Sequence, residues 1–206
     1  MHLQLPSLQQ AEAYLQEAAA RNPGPWEAHS RYTAQGARLI AERHPDLDPQ
    51  RAYILGLLHD IGRRCGVTQM RHVLDGYTFM MDEGYPEVGR VCLTHSYPDK
   101  NLPAQAGWDG TPEELQFFQE RLAGIEYDSY DRLIQLMDCL ALPGGFCLME
   151  KRFVDVTMRY GFKGSTIQRW RAYLAIKKHF DEAVGVSVYS LLPGVVENTF
   201  EHDLEV

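Results

Sequence analysis

The sequence has only four cysteines, and no two of them form a CxxC pair: they are Cys65, Cys92, Cys139 and Cys147. Isolated cysteines of this kind are typical of reduced thiols in a cytoplasmic protein. Two of them lie within apolar runs, where a buried thiol is the usual interpretation. We therefore do not expect thiolates among any metal ligands of this chain.

Basic residues and long apolar segments are also scarce. The chain has 20 Lys and Arg against 28 Asp and Glu, which gives a net charge of -8. An acidic surface argues against binding to nucleic-acid polymers or anionic membranes, but a locally basic pocket could still hold a small phosphorylated substrate. No apolar stretch is long enough to cross a bilayer, and the first residues lack the pattern of a signal peptide. We expect a soluble, cytoplasmic protein; a homo-oligomer is compatible with these features.

Helical periodicity runs through most of the 206 residues, without an internal repeat. It predicts helices that start after Ser7, Asp48 and Thr111, where a capping side chain precedes an apolar stripe. Further helices are predicted at about 26–43, 69–83, 86–95, 130–142, 146–160 and 166–180. Residues 96–110 are predicted to form a loop, of a length that often serves as a lid over a pocket. We expect 186–196 to be extended and the acidic tail 197–205 to be solvated or frayed.

One apolar helix ends in the doublet His59-Asp60. An imidazole and a carboxylate are costly at the buried end of a helix unless something pairs with them. A divalent metal accepts a neutral imidazole nitrogen and an anionic oxygen together. The two side chains point about 100° apart on a regular helix, so they suit a metal best where the helix ends and Gly62 permits a turn. For the doublet alone, a capped helix end is the competing interpretation.

Four other side chains are candidate ligands. His29 lies on the apolar stripe of its helix, where an ordinary core histidine is the alternative. His95 lies at a helix end, just beyond an apolar face. Asp138 lies within an apolar helix and needs a cationic partner unless it turns to solvent. His72 stands at the start of a predicted helix, where a solvated histidine is equally natural.

The order of His29, His59-Asp60 and Asp138 resembles the HD-domain superfamily of metal-dependent phosphohydrolases. The resemblance covers about residues 25–145. It implies an all-α fold, an HD-domain helical bundle with additional C-terminal helices at about 146–206, within a single domain 1–206. It also implies that these four residues bind one divalent metal.

Two histidines between the doublet and the late aspartate mark the branch of this superfamily that holds two metals, bridged by the doublet aspartate. Here they would be His72 and His95, with Asp60 as the bridge and the least replaceable catalytic residue. Arg63 stands where many family members carry a lysine or arginine that can reach a substrate phosphate, and a guanidinium suits bidentate phosphate binding. Lys100 is a further candidate for catalysis and substrate binding, although a solvated lysine is the competing interpretation.

Histidine and carboxylate ligands suit one or two divalent transition metals: Fe, Mn, Co, Ni or Zn. Such a metal lowers the pKa of bound water toward about 7 and makes hydroxide available near neutral pH. We therefore expect a metal-dependent phosphohydrolase that acts on a nucleotide or another small phosphoester through activated water. One alternative is an HD-type di-iron oxygenase that cleaves a C–C or C–P bond, since iron serves both reactions. Another is a non-catalytic nucleotide-binding regulatory module that keeps a structural metal.

Overall fold

The computed structural model describes residues 5–100 and 107–201, and these form an α-helical bundle. Two 3₁₀ helices, Ile61–Cys65 and Val188–Leu191, and two short strands complete the described elements. The α-helices span Leu8–Arg21 (α1), Trp26–Ala41 (α2), Pro49–Leu58 (α3), His72–Asp82 (α4), Pro86–Thr94 (α5), Pro112–Gly124 (α6), Ser129–Leu140 (α7), Met149–Tyr160 (α8), Thr166–Val184 (α9) and Val195–Glu201 (α10). The predicted all-α class is therefore confirmed.

The predicted helix starts are confirmed by their capping hydrogen bonds. Ser7 and Thr111 each form a capping box, with Gln10 and Glu114 at the third helical position. The Asp48 side chain accepts the Arg51 N–H at the start of α3. Each cap satisfies a backbone N–H that has no partner inside its helix, which fixes where the helix begins.

Helix α3 lies at the centre of the bundle, as its apolar sequence predicts. Leu55, Leu57 and Leu58 are completely buried, and α3 packs most extensively on α2. Gly56 permits the close approach of the two helices, because a Cβ atom there would lie 2.8 Å from the Cα atom of Ala34. The tight crossing sets the ends of α2 and α3 at a fixed distance from each other.

The chain reverses direction directly after α7, in a small hairpin. Strand β1, Ala141–Leu142, pairs antiparallel with strand β2, Gly145–Phe146. The preceding helix was predicted to reach Leu142, but it ends at Leu140 because Ala141 and Leu142 belong to the strand, and Pro143-Gly144 forms the turn between the two strands. The next helix was predicted to begin at Phe146, but it begins at Met149 because Phe146 belongs to the strand.

The segment 186–196 is not extended, so this prediction was wrong. It contains the 3₁₀ helix Val188–Leu191, and α10 begins at Val195. Val188, Leu192 and Val195 are all buried, so the segment packs against the rest of the bundle. Part of the predicted solvated or frayed tail, up to Glu201, belongs to α10, and 202–206 lie outside the described residues.

The predicted loop 96–110 follows α5. Its described parts, 96–100 and 107–110, form turns and irregular structure, and 101–106 lie outside the described residues. Beneath it, a small apolar cluster joins α4 and α5 to α6; its buried members are Val73, Leu74, Leu93, Tyr97, Phe118 and Leu122. Within the parts of the chain described here, every helix is too short or too polar to cross a membrane.

Candidate metal centre

Six side chains from five segments of the bundle meet at its centre. Two of them follow each other at the end of α3, and the others come from α2, from the first residue of α4, from the residue after α5 and from the last turns of α7. All are buried or nearly so. They are the six that the sequence singled out: His29, His59, Asp60, His72, His95 and Asp138.

The first group of ligand atoms surrounds Asp138. Its Oδ1 atom lies 3.0 Å from Nε2 of His29 and 3.7 Å from Nε2 of His59. The two imidazole Nε2 atoms lie 3.3 Å from each other. Three donor atoms thus face a common point between α2, α3 and α7.

The second group surrounds Asp60. Its Oδ1 atom lies 3.1 Å from Nε2 of His72 and 3.5 Å from Nε2 of His95. The rings of His59 and His95 are 4.9 Å apart between centroids, so the two groups are adjacent. Donor atoms of His59, Asp60 and His95 all lie within 4.8 Å of one another, as do those of the first group.

All four imidazoles are oriented in the same way by the backbone. The Nδ1 atom of each ring faces a carbonyl oxygen: Ala141 for His29, Gly56 for His59, Gln69 for His72 and Val91 for His95. A carbonyl can only accept, so Nδ1 must carry the hydrogen. In the neutral ring Nε2 then carries a free lone pair, and this tautomer can bind a metal through Nε2.

These lone pairs require a cation between them. With Nδ1 protonated, the facing Nε2 atoms of His29 and His59 are both acceptors and have no hydrogen to share. The Nε2 atom of His72 is buried and has no hydrogen-bond partner of suitable geometry. A buried polar atom without a partner is costly. The donor set therefore fits a divalent metal.

The carboxylates of this cluster are ionised. Burial raises the pKa of Asp60, but Arg63, His72 and His59 outweigh it and hold that pKa well below its ordinary value. Burial likewise raises the pKa of Asp138, but the neighbouring imidazoles of His29 and His59 outweigh it and hold that pKa well below its ordinary value. Burial lowers the pKa of His72, which favours its neutral form. The pKa of His59 is raised instead, because Asp60 and Asp138 outweigh its burial. Metal binding needs anionic oxygens beside neutral imidazoles, so it would release any proton that His59 holds.

Packing against α4 positions the doublet. A Cβ atom on Gly62 would lie 1.9 Å from the His72 carbonyl oxygen, so the backbone after Asp60 runs directly against the start of α4. Gly62 was expected to permit a turn; the structure shows that it permits this contact. The Asn22 side-chain amide also donates to the Arg63 carbonyl and so ties the same turn to the end of α1.

The two predicted phosphate-binding residues differ in their surroundings. The Arg63 Nε atom donates to Oδ2 of Asp60 at 2.6 Å, so this guanidinium borders the cluster. The Lys100 ammonium donates to the Ile125 carbonyl and lies over the Tyr127 ring. Lys100 is therefore partly buried and held by residues other than the six candidate ligands, and its role in catalysis or substrate binding stays a prediction.

Sequence reasoning missed a polar contact between α7 and α5 that holds His95 in place. The buried Gln135 amide donates to the Thr94 carbonyl, and the Thr94 hydroxyl donates to buried Asp131. Asp131, Gln135 and Asp138 follow one another at spacings of four and three residues, so they share one face of α7. A polar stripe at helical spacing in an apolar helix was the available signal.

The comparison with protein families agrees with this geometry. Residues 26–142 match the HD domain, and this range is more than half of the chain and contains all six clustered side chains. The chain therefore belongs to the HD-domain family. Members of this superfamily are generally metal-dependent phosphohydrolases. Comparisons with curated proteins and with solved structures found no match.

Proposed function

We propose that the protein is a metal-dependent phosphohydrolase that acts on a nucleotide or another small phosphoester. The observation that carries this proposal is the common orientation of the four imidazoles. Each directs Nε2 toward the others and toward an ionised carboxylate. Backbone carbonyls fix all four in the metal-binding tautomer, which a structural histidine cluster has no need to do.

The six side chains would hold one or two divalent transition metals. One metal would be held by His29, His59 and Asp138 and the other by His72 and His95, with Asp60 contributing to both. Nitrogen and carboxylate donors without thiolates suit Fe, Mn, Co, Ni or Zn. When bound, such a metal supplies a Lewis acid that lowers the pKa of water toward about 7.

Arg63 supplies the positive charge that a phosphate group needs at this site. Its side chain is 30% exposed, so the guanidinium touches both the cluster and solvent. Burial lowers the pKa of Arg63, but Asp60 and Asp138 raise it by a larger amount, so the group is a permanent cation. A guanidinium can bind two phosphate oxygens at once. We assign Arg63 to substrate binding.

The net charge of -8 favours a small substrate over a polymer. A nucleic-acid strand would meet repulsion outside the local positive charge of the site. A nucleotide or small phosphoester needs only the metals and a few cations near them. The partner that we propose is therefore a small phosphorylated molecule.

The test is phosphate release from a panel of nucleotides and small phosphoesters. The protein is loaded anaerobically with Fe or Mn, and the Asp60→Ala variant serves as the control. We expect release by the wild-type protein and the loss of both metal and activity in the variant. A variant that keeps full activity would refute the assignment. No release from a protein with two irons per chain, together with oxygen consumption on an organic substrate, would favour the di-iron oxygenase instead.

A further inference from the structure

A second partly buried arginine lies in the part of the chain that follows the matched HD residues. Arg152 lies in the first turns of α8, ten residues beyond the end of the match at 142. Its side chain is 23% exposed, so most of this charged side chain is shielded from solvent. Among the described residues, the one carboxylate within ion-pair distance is Asp155, with 3.0 Å between Nη1 and Oδ2.

The hairpin after α7 returns the chain to the end of the helix that carries Asp138. The Ala141 carbonyl accepts from Nδ1 of His29, and Ala141 pairs with Phe146 on the opposite strand. The Cys147 N–H then donates to the Leu140 carbonyl, so the returning chain runs beside the end of α7. This is the end of the helix that carries Asp138. Helix α8 starts two residues later, so its first turn follows directly from the segment that lies beside the end of α7.

The charges agree with this placement. Burial lowers the pKa of Arg152, and the Asp138 carboxylate is the strongest of the charges that raise it, so that the net shift is upward. Asp138 also raises the pKa of Arg63. The guanidinium groups of Arg63 and Arg152 are thus both stabilised by the negative charge of Asp138.

Stabilisation of the fold by the ion pair between Arg152 and Asp155 does not account for a shielded arginine at this position. Ion pairs three residues apart on a helix contribute only about 0.2–0.5 kcal/mol. An apolar side chain would pack at this position without desolvating a charge. Asp155 also accepts from Arg159 at 2.7 Å, so it is held from two sides and can fix the plane of the Arg152 guanidinium. Asp155 contacts only Nη1 of Arg152, which leaves other N–H donors of the five on a guanidinium for an anion.

We propose that Arg152 binds the phosphate group of the substrate together with Arg63, so that the C-terminal helices complete the substrate site. This inference rests on the proposed function. It assigns to the substrate a terminal phosphate that bears two negative charges, because two guanidinium groups beside the metals match such a group. Asp155 is a positioning residue, which acts through Arg152.

The test measures the binding of inorganic phosphate to the metal-loaded protein by isothermal titration calorimetry. We expect Arg152→Gln to weaken phosphate binding by about tenfold or more, since it loses charge-assisted hydrogen bonds, with unchanged metal content. Arg152→Lys should recover part of the phosphate affinity. The phosphate affinity of Asp155→Asn should lie between that of Arg152→Lys and that of the wild-type protein. Arg171→Gln is the control, because it removes one positive charge from an exposed position on α9.

A second measurement separates this inference from the proposed function. On a substrate that the protein hydrolyses, Arg152→Gln should raise KM more than it lowers kcat, and Arg152→Lys should restore KM in part. If phosphate binding depends on Arg152 but no phosphoester is hydrolysed, the proposed function fails and the Arg152 assignment stands. If hydrolysis depends on Asp60 while Arg152→Gln and Arg152→Lys both bind phosphate within about twofold of the wild-type protein, the Arg152 assignment fails. Absence of phosphate binding by the metal-loaded wild-type protein would also overturn it.

Discussion

Replacement of Gly62 by alanine tests whether the packing after the doublet sets the geometry of the metal centre. The new Cβ atom would lie 1.9 Å from the His72 carbonyl oxygen and 2.4 Å from the Gly76 backbone nitrogen. Ordinary contact begins at 3.4 Å, so the two backbones must separate by about 1.5 Å. Neither backbone can move without its ligand, because Asp60 lies on one side of the contact and His72 on the other.

The expected effect on metal binding is large. Metal–ligand distances are held to within about 0.2 Å, and the required displacement is several times greater. Overpacking of this kind typically destabilises a fold by about 1–3 kcal/mol. For a domain of this size, that corresponds to a fall in Tm of about 2–12 °C. We therefore expect Gly62→Ala to lose the metal held by the Asp60 group and to unfold at a lower temperature.

The assay combines metal content, measured by mass spectrometry after anaerobic loading, with thermal unfolding. Gly124→Ala is the matched control, because a Cβ atom at Gly124 would meet open space. That control should keep its metals and its Tm. Unchanged metal content and Tm in Gly62→Ala would show that the two backbones separate freely, which would refute the reasoning.

Three other substitutions test separate parts of the site. Asp138→Asn should destabilise the metal-free protein most near pH 7. The depressed pKa of Asp138 adds stability to the wild-type protein above pH 3.8, the ordinary pKa of this group, and this stability is lost as the pH falls below that value. Urea unfolding of both proteins across pH 3–7 measures the difference. Gln135→Leu should lower stability by about 1–3 kcal/mol, because the Thr94 carbonyl loses its donor; thermal unfolding measures this, and an unchanged Tm would contradict it. Arg63→Lys should raise KM about tenfold or more, because lysine cannot bind phosphate in the bidentate way. Steady-state kinetics measures this, and an unchanged KM would contradict the assignment of Arg63.

Sequence patterns predicted much of the site because its ligands are polar residues at positions where the surrounding sequence is apolar. His59, Asp60 and Asp138 are polar groups in apolar helices, and such groups demand partners wherever the helices lie. The helix starts were predictable for a similar reason, since capping is a local interaction. The position of His72 was harder to predict from its own segment, because its place beside Asp60 depends on the contact between Gly62 and the start of α4.

The features that sequence analysis missed depend on which elements meet in space. Lys100 donates to the Ile125 carbonyl, on a segment 25 residues away. The proposed role of Arg152 depends on a hairpin whose strands have only two residues each, too short for a clear alternating pattern. The segment 186–196 has valines that favour strands, but Val188, Leu192 and Val195 are buried against other elements, and this tertiary packing overrides the local preference.

The most direct test of the account is the number of metal ions per chain after anaerobic loading with Fe or Mn. We expect about two ions in the wild-type protein, since two carboxylate-centred groups are present. The His72→Ala variant should keep one, because the group around Asp138 stays complete. A single ion in the wild-type protein that is unaffected by His72→Ala, or no ion at all, would contradict the two-metal centre on which the proposed hydrolysis depends.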